Sequence, residues 1–544
     1  MNRRLCMGMV ILSLMFALCT LTHLGCAANS EKKLIEYGWD CPTTAFFKKN
    51  VKEMEKLPFD GVVIKVAHPE GGWSLGWRVF SKVKFRPSEY AHAIKDLASI
   101  KSSKLTDNFI QVIAMPGDVD WFDPEWSAVA YNAACLAKVA KLGGCKGIMF
   151  DPEMYGEHQI WSYKAQPAEA KAAHTYGDYV AKVRERGREF IRAINKEFPD
   201  ITILALFGPA LPYEQSVACG GIENADYSLL AAFYDGICEA ATPGTILIDG
   251  YEQSYGFIGQ KPFEQGRRAI LEGAKTISTA PKAFAKHVKA GFGIWADYSS
   301  GKLGWHPEDF TKNYFSPSAL RASVHFALKF SDGYVWIYSE RLRWWDFNVP
   351  SEYIEALALA KSGPGPGNWQ PRQLSVGVPR AAEQPGYSDE QTFAEFRKTL
   401  EEVYDLPKNG WRFSRDESNS GEKQGWAQPT FNDSEWRTIS IGKFWEEQGE
   451  NYDGFSWYRL KFIAPKIEPG KQVFLVFGAV DESAWVWLNG SFVGKHDLGG
   501  IGWLIPFKLD ITKDLKPGEN VLAVKVLDTA GAGGIWKSVK LMTK

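Results

Sequence analysis

Eight short apolar segments, separated by stretches with helical periodicity, constrain the fold of this chain more than any other feature. The segments are Leu34–Trp39, Gly61–Val66, Phe109–Met115, Gly147–Phe150, Ile201–Phe207, Thr245–Ile248, Gly291–Trp295 and Gly333–Tyr338. Helical patterns such as Tyr179–Glu197 and Phe263–Ile277 lie between them. Continuous apolar runs are typical of strands buried on both faces, and their alternation with helices indicates parallel pairing. The pattern therefore predicts an α/β fold, a (β/α)8 TIM barrel, over residues 30–361.

The pattern changes after the eighth unit. The sequence Ser-Gly-Pro-Gly-Pro-Gly, which begins at Ser362, is rich in residues that interrupt regular structure. We therefore assign residues 362–408 to a linker, with one predicted helix at Asp389–Val403.

Short strands and turns follow the linker. The predicted strands include Trp457–Ile463, Gln472–Phe477, Ala484–Leu488 and Val521–Val526. The pair Asn489-Gly490 after an alternating run predicts a hairpin over residues 481–493. Residues 409–544 are therefore predicted to form an antiparallel β-sandwich.

The N-terminal residues 1–28 have the pattern of an export signal. Arg3 and Arg4 precede the apolar stretch Met7–Leu21, which is too short for a stable membrane span. Two outcomes stay open: cleavage at the alanines that follow Cys26, or attachment of a lipid to Cys26, as in bacterial lipoprotein signals, which the pair Gly25-Cys26 resembles. We expect an exported protein in the periplasm, at the cell surface or outside the cell, with membrane attachment only through such a lipid.

Composition and motif content exclude several partners and cofactors. The formal net charge is -1 and no basic stripe offsets the acidic residues, so no nucleic-acid partner is expected. The sequence has neither a Gly-rich phosphate loop nor a metal-ligand spacing, so neither a cofactor nor a metal is predicted. The cysteines beyond the signal are odd in number, which favours buried thiols over a disulfide framework. They are Cys41, Cys135, Cys145, Cys219 and Cys238.

The segment Gly147–Gly156 places two carboxylates directly after the fourth apolar run. In a strand, residues two apart face the same side, so Asp151 and Glu153 would both stand at the C-terminal mouth of the barrel. Barrels of this kind keep their active sites at that mouth. Paired carboxylates in such a place are what cleavage of a glycosidic bond requires.

Further acidic residues follow the sixth, seventh and eighth runs. We expect Glu153 to be the general acid, or acid/base, and Glu252 to be the second carboxylate of the pair. The further candidates for a catalytic role are Asp151, Glu340 and Asp297. For Glu340, an ion pair with a neighbouring arginine is the structural alternative.

Aromatic residues are abundant, with 21 Trp, 21 Tyr and 33 Phe, and those at strand ends are candidates for stacking on sugar rings. The predicted substrate-binding residues are Trp39, Asp40, His68, Tyr155, Tyr251, Trp295, Trp336 and Tyr338. Trp126, Trp426 and Trp436 are instead expected to pack in cores or at the domain boundary.

The C-terminal region resembles a known module. The segments Phe431-Asn-Asp-Ser-Glu-Trp436, Trp457-Tyr-Arg459, Trp487-Leu-Asn-Gly490 and Leu515–Lys525 match the galactose-binding-like jelly roll in order and spacing. That fold opens the family 2 glycosidases and accompanies many carbohydrate enzymes. The resemblance implies a sandwich and a carbohydrate context, without implying that the domain itself binds sugar.

Two resemblances to glycoside hydrolase barrels imply different mechanisms. Many such barrels place the acid/base after the fourth strand, where Glu153 lies, and the largest clan has its nucleophile after the seventh, where this chain has Asp297 in place of Glu. Chitinase-like barrels instead carry Asp-x-Glu, Tyr with an acid, and Trp after or on the fourth, sixth and eighth strands. Asp151-Pro-Glu153, Tyr251-Glu252 and Trp336 match those positions. In that case Asp151 would orient a substrate acetamido group, which is itself the nucleophile.

The sequence therefore predicts an exported glycoside hydrolase that cleaves O-glycosidic bonds of a poly- or oligosaccharide by carboxylate general acid/base catalysis. The alternative is a non-catalytic glycan-binding surface protein that keeps the cleft without the chemistry. An enzyme would hold Glu153 opposite a second carboxylate across an aromatic-lined cleft. A binding protein could have Glu153 tied up in an ion pair.

Overall fold

The computed structural model describes residues 32–156, 158–218, 221–298, 300–366, 392–393, 396–450, 452, 454–497, 502–503, 505–528 and 532–544. The predicted export signal with Cys26, the thiol of Cys219 and most of the predicted linker lie outside these residues. No helix within the described ranges has the length and apolar character needed to cross a membrane.

The first domain is a closed barrel of parallel strands. Its strands are β1 Lys33–Gly38, β2 Gly61–Ile64, β3 Phe109–Ile113, β4 Gly147–Asp151, β5 Thr202–Ala205, β6 Ile246–Asp249, β7 Val288–Ala290, β8 Phe292–Trp295 and β9 Tyr334–Ser339. Only Gly291 separates β7 from β8. Strand β7 pairs with β6 and β8 pairs with β9, so the two short strands together occupy the seventh strand position of the barrel. Pairing of β9 with β1 closes the ring. The predicted (β/α)8 barrel is confirmed.

Helices connect successive strands and cover the outside of the barrel. They are α1 Thr44–Met54, α2 Pro87–Ala98, α3 Ser127–Leu142, α4 Ala168–Ala173, α5 Tyr176–Glu197, α6 Ala210–Ala218, α7 Leu230–Ala240, α8 Gln260–Arg268, α9 Ala274–Ile277, α10 Pro281–His287, α11 Ser300–Leu303, α12 Pro317–Phe330 and α13 Ser351–Ser362. A large apolar cluster fills the space between the helices and the strands.

Side chains alternate along the barrel strands and so define which residues reach the interior. In β4, Ile148 and Phe150 belong to the cluster under the helices, whereas Met149 belongs to the cluster inside the barrel. Asp151 has the same parity as Met149 and is fully buried. The strand thus aims Asp151, and after it Glu153, toward the barrel axis at the C-terminal mouth.

The second domain is a sandwich of two antiparallel sheets. Its strands are β10 Glu401–Asp405, β11 Trp411–Arg415, β12 Arg437–Ile439, β13 Gly454–Ile463, β14 Val473–Phe477, β15 Ser483–Leu488, β16 Ser491–Asp497, β17 Phe507–Asp510, β18 Glu519–Asp528 and β19 Val539–Thr543. One sheet has the order β10-β19-β14-β17 and the other β12-β11-β13-β18-β15-β16. The predicted β-sandwich is confirmed.

Two local predictions in this domain have different outcomes. Asn489 and Gly490, with φ of 54° and 86°, form the turn that joins β15 to β16, as the predicted hairpin requires. The helix predicted up to Val403 does not extend that far, because residues 401–405 form β10 and pair with β19. Pairing with the neighbouring strand overrides the local helical pattern there.

The cysteine and core predictions hold in the described parts of the chain. Cys41, Cys135, Cys145 and Cys238 are free thiols in buried positions. Trp126 is buried in the core of the barrel domain, and Trp426 and Trp436 pack around Trp457 and Trp487 in the sandwich. The sandwich contacts the barrel domain through Asp497, which forms an ion pair with Lys261 at 2.9 Å.

Candidate active site

A cavity of about 650 Å³ opens at the C-terminal mouth of the barrel. Three carboxylates line it, and each follows a different strand: Glu153 after β4, Glu252 after β6 and Glu340 after β9. Because the C-terminal ends of parallel strands meet at one mouth, residues far apart in sequence converge on one space. All three are half-buried.

Glu153 is positioned by the preceding strand end. One carboxylate oxygen of Asp151 accepts a hydrogen bond from the Glu153 backbone N–H at 2.9 Å, and the other accepts one from the Tyr155 hydroxyl at 2.8 Å. Burial, with a contribution from the charge of Glu153, raises the pKa of Asp151 to about 7. Both oxygens of Asp151 thus accept a hydrogen bond from this chain, and one of these bonds fixes the backbone of Glu153.

A tight turn after β6 carries Glu252 into the cavity. The Asp249 carboxylate accepts hydrogen bonds from the backbone N–H groups of Ala210 and Tyr251, at 2.8 and 3.0 Å. Tyr251 adopts a left-handed backbone conformation with φ of 43°. A side chain at Gly250 would come within 2.6 Å of the Ala205 carbonyl oxygen, so the turn requires glycine there.

Glu252 lies close to the acidic end of β4. Burial raises its pKa well above the ordinary value, and the charges of Asp151 and Glu153 raise it further. Its Oε2 atom is buried and accepts no hydrogen bond within the described structure. Like charges in one cavity disfavour joint ionisation, and here they add to the effect of burial on Glu252.

Glu340 and Asp297 have different surroundings. Asp297 accepts hydrogen bonds from the Trp295 indole and from the backbone N–H groups of residues 340, 341 and 342, which shapes the loop after β9. It does not line the cavity. Glu340 does, and the Tyr338 hydroxyl donates to it at 3.4 Å. Glu340 forms no ion pair at contact distance with a neighbouring arginine in the described structure, but the charges of Arg341 and Arg343 lower its pKa, which agrees in part with the structural alternative.

Aromatic rings enclose one end of the cavity. Tyr255 stacks on Tyr338 with 5.2 Å between centroids, and both contact Trp295 edge-on. Trp39 donates its indole N–H to the Tyr338 hydroxyl at 2.8 Å, and the Trp39 ring remains 62% exposed. Flat rings around a space lined with a few polar groups are typical of small-molecule sites.

A second set of rings leads out of the cavity toward solvent. The Tyr155 ring lies 5.2 Å from that of Trp77, which lies 4.8 Å from that of Trp73. Trp73 is 64% exposed, follows Gly71 and Gly72, and is the outermost ring of this row. The row begins beside Glu153, because the Tyr155 hydroxyl donates a hydrogen bond to the same Asp151 carboxylate that binds the Glu153 backbone.

Several predicted binding residues lie outside the cavity lining. Asp40 accepts a hydrogen bond from the Trp345 backbone, and the buried His68 ring contacts Glu89 at 3.2 Å. The Tyr251 hydroxyl donates to buried Glu214. Trp336 is completely buried, with Tyr255 packed against it, so it supports the cavity from one layer below. The predicted residues that do line the cavity are Glu153, Glu252, Glu340, Trp39, Tyr155, Trp295 and Tyr338.

The sequence patterns missed other lining residues. They are Tyr37, Gly38, Cys41, Lys65, Trp77, Gln111, Leu206, Tyr255 and Arg343. Tyr37 has the inward parity of β1, and this parity is a signal that was available in the sequence. Trp77 and Arg343 stand in loops, and only the folded chain brings them to the mouth.

Buried carboxyls around the barrel predict a stability that decreases with rising pH. Burial raises the pKa of Asp249 to about 7 and that of Glu214 to about 8. Above about pH 4 these carboxyl groups have released their protons in the unfolded chain, whereas the native protein still holds them. The free energy of unfolding therefore falls as the pH rises from about 4 to the raised pKa values of Asp249 and Glu214. We expect Tm to be about 5 °C or more higher near pH 5 than near pH 8, measured by thermal unfolding.

The variant Glu214→Gln provides the matched control for this prediction. Gln keeps an acceptor for the Tyr251 hydroxyl and cannot ionise. It should leave Tm near pH 5 almost unchanged and reduce the loss at higher pH. A wild-type Tm that is equal at the two pH values would contradict the buried, proton-holding carboxyls.

A group of acidic residues that could hold a metal ion lies in the sandwich, away from the barrel cavity. The carboxylate oxygens of Asp481, Glu482 and Asp528 lie within 4.8 Å of one another, and all three residues are buried. Asp481 and Glu482 are adjacent, but Asp528 follows 46 residues later, so no short ligand spacing marks the group in the sequence.

Comparison with known proteins identifies the second domain. Residues 421–532 match the family described as "Beta-galactosidase second all-beta domain". A "Beta-glucuronidase" of Formosa agariphila is 35% identical over 136 residues, which are 22% of this chain and 13% of the relative. A "Beta-galactosidase" of Thermoanaerobacter pseudethanolicus is 42% identical over 79 residues, or 14% of this chain and 10% of the relative. The chain thus spans a small fraction of the length of the curated relatives it matches.

Solved structures give matches of similar extent. "The structure of a beta-glucuronidase from glycoside hydrolase family 2" is 28% identical, covers 26% of this chain and 17% of that chain, and has a TM-score of 0.23. "Crystal structure of a beta-glycosidase from Bacteroides vulgatus" is 30% identical over 26% and 20% of the two chains, with a TM-score of 0.21. With a closed parallel barrel followed by a β-galactosidase-type all-beta domain, the chain resembles glycoside hydrolases that join a (β/α)8 barrel to a galactose-binding-like jelly roll.

Proposed function

We propose that the protein is an exported glycoside hydrolase that cleaves an O-glycosidic bond of a poly- or oligosaccharide in the barrel cavity. The observation that carries the proposal is the pair Glu153 and Glu252, which line one cavity from β4 and β6. The charge of Glu153 is one cause of the raised pKa of Glu252, so the two groups are near enough to interact electrostatically. A pair of carboxyl groups, one protonated and one ionised, can supply the acid and the nucleophile or base of glycoside cleavage.

The surroundings of the two carboxylates support distinct roles. Glu153 lies at the inner end of the row of rings formed by Tyr155, Trp77 and Trp73, which leads toward solvent. The leaving part of the saccharide would lie along this row. Glu153 would protonate the leaving oxygen. Glu252 stands beside Tyr255 at the enclosed end, where it would face the anomeric carbon and stabilise the positive charge that develops on the ring.

The non-catalytic alternative receives less support. That alternative allowed an ion pair at Glu153, and within the described residues Glu153 forms none at contact distance. Glu153 instead shares its cavity with a second carboxylate. Export is proposed from the pattern of residues 1–28, and mass analysis of the mature N-terminus in a bacterial host will show whether the chain is cleaved and whether Cys26 carries a lipid.

Hydrolysis of a glycan panel tests the proposed function. The family match lies in the sandwich, so the names of the relatives do not identify the sugar that the barrel takes. The panel therefore combines aryl glycosides of both anomeric forms, including glucuronides and galactosides, with polysaccharides assayed for new reducing ends. We expect the wild-type protein to cleave at least one member. Binding of a glycan without any cleavage would favour the non-catalytic alternative.

The outer aromatic row predicts a preference for long substrates. We expect Trp73→Ala to raise KM for an oligosaccharide by about 10-fold. The substitution removes a ring whose stacking on a sugar would contribute about 1.4 kcal/mol to binding. The KM for a small aryl glycoside, which ends before Trp73, should stay unchanged. Tyr131→Ala, which removes an exposed ring from the outer helix α3, is the control. Equal effects of Trp73→Ala on long and short substrates would contradict this role.

A further inference from the structure

The cavity has a cationic wall that the proposed chemistry does not use. Lys65 follows β2, Arg343 lies in the loop after β9, and both line the cavity. Strands β9, β1 and β2 are neighbours, so the two cations flank the end of β1. Glu153 and Glu252 follow β4 and β6, on the other side of the ring. The cations and the carboxylate pair therefore face each other across the cavity.

Neither cation forms an ion pair at contact distance in the parts that the structure describes, although Glu340, Asp40 and Glu36 interact with Arg343 from further away. Both cations are half-buried. The guanidinium of Arg343 lies over the exposed ring of Trp39, at 5.5 Å from its centroid, which holds it at the mouth. Partly buried cations without a fixed counter-charge are costly, and an anionic ligand would offset that cost.

Glu340 is the acid on the same wall. It stands two residues after Tyr338, whose hydroxyl donates to it. Burial raises the pKa of Glu340, and the charge of Asp297 raises it further. The charges of Arg341 and Arg343 lower the same pKa, so Glu340 interacts with Arg343, whereas Lys65 lies on the far side of β1. The formal charges of the lining residues Lys65, Arg343 and Glu340 sum to +1.

We propose that Lys65 and Arg343 bind an anionic substituent, a carboxylate or a sulfate ester, on the sugar ring that occupies the cavity. The proposal rests on the glycosidase function and adds that the substrate is an acidic saccharide. Arg343 offers a planar fork that matches two oxygens of such a group, and Lys65 offers a point charge. Binding of the anion on this wall would hold the ring with its anomeric carbon toward Glu252.

Binding to matched sugar pairs tests the cationic wall separately from cleavage. The full-length Glu252→Gln protein is titrated with nitrophenyl glucuronide against nitrophenyl glucoside, and with a sulfated nitrophenyl galactoside against the unsulfated one, in both anomeric forms. We expect the acidic member of one pair to bind about 10- to 100-fold more tightly. The pair that shows the difference identifies carboxylate or sulfate as the group bound.

A charge-removing substitution then locates the effect. In the same background, Lys65→Met keeps the length of the side chain without its charge, and it should remove most of the preference while leaving Kd for the neutral sugars unchanged. Lys101→Met is the control, because Lys101 is exposed in the loop before β3, at the opposite end of the barrel. Equal affinities within every pair, or an equal loss for acidic and neutral sugars in Lys65→Met, would overturn the proposal. Lys65-dependent binding of an acidic sugar that the wild type never cleaves would contradict only the hydrolase function.

Discussion

Replacement of Glu153 by Gln is expected to lower kcat by about 10²- to 10⁴-fold on substrates with a sugar leaving group, with little change in KM. Gln cannot transfer a proton to the leaving oxygen, yet it fills the same space. The fold should be retained, because Asp151 bonds the backbone of Glu153 and not its side chain. Steady-state kinetics on the best substrate of the panel measures the loss.

Two further results separate a chemical role of Glu153 from a structural one. Glu355→Gln, on the exposed side of helix α13, should leave kcat unchanged. The charge of Glu153 contributes to the raised pKa of Glu252, so Glu153→Gln should move the pH-rate limb that belongs to Glu252 to lower pH. An unchanged kcat in Glu153→Gln would remove this residue from the mechanism.

Replacement of Glu252 by Gln is expected to lower kcat by about 10²- to 10⁴-fold for every leaving group. The amide cannot act as nucleophile or base at the anomeric carbon, and it offers less stabilisation to the positively charged ring. The variant should be at least as stable as the wild type at high pH, because it lacks a buried carboxyl whose ionisation burial opposes. Kinetics and thermal unfolding of the same preparation measure both effects.

Product stereochemistry identifies the role that Glu252 plays. NMR of the first-formed product shows retention if Glu252 is a nucleophile and inversion if it activates water. Retention that persists in Glu252→Gln, at a rate near that of the wild type, would contradict the assignment. In that event a substrate acetamido group, as in the chitinase-like resemblance, would be the nucleophile.

The barrel could be predicted from sequence because its strands are buried on both faces and read as continuous apolar runs. Strand β4 extends one residue beyond its predicted run, and β9 is shifted by one residue at both ends. Strand β7 was not predicted, because the seventh apolar run was taken to begin at Gly291, after that strand ends. Strand β10 was misread as helix because its partner, β19, is far away in the sequence.

The candidate site was predicted only in part, for a different physical reason. Strand ends converge on one mouth, so position after a strand was enough to select Glu153 and Glu252. Which neighbours reach the cavity depends on contacts between loops. The Asp297 carboxylate accepts hydrogen bonds from backbone N–H groups, and the Tyr255 ring covers Trp336. Contacts of this kind are formed between distant loops and leave no local pattern.

The dependence of rate on the leaving group tests the central claim most directly. Glu153→Gln and Glu252→Gln are compared on one sugar that carries either a dinitrophenyl group, which leaves without a proton, or an alkyl group, which needs one. We expect Glu153→Gln to keep kcat/KM for the dinitrophenyl glycoside near that of the wild type and to lose kcat/KM for the alkyl glycoside, whereas Glu252→Gln loses both. Equal losses of the two substrates in Glu153→Gln would contradict a proton-donating Glu153 opposite Glu252.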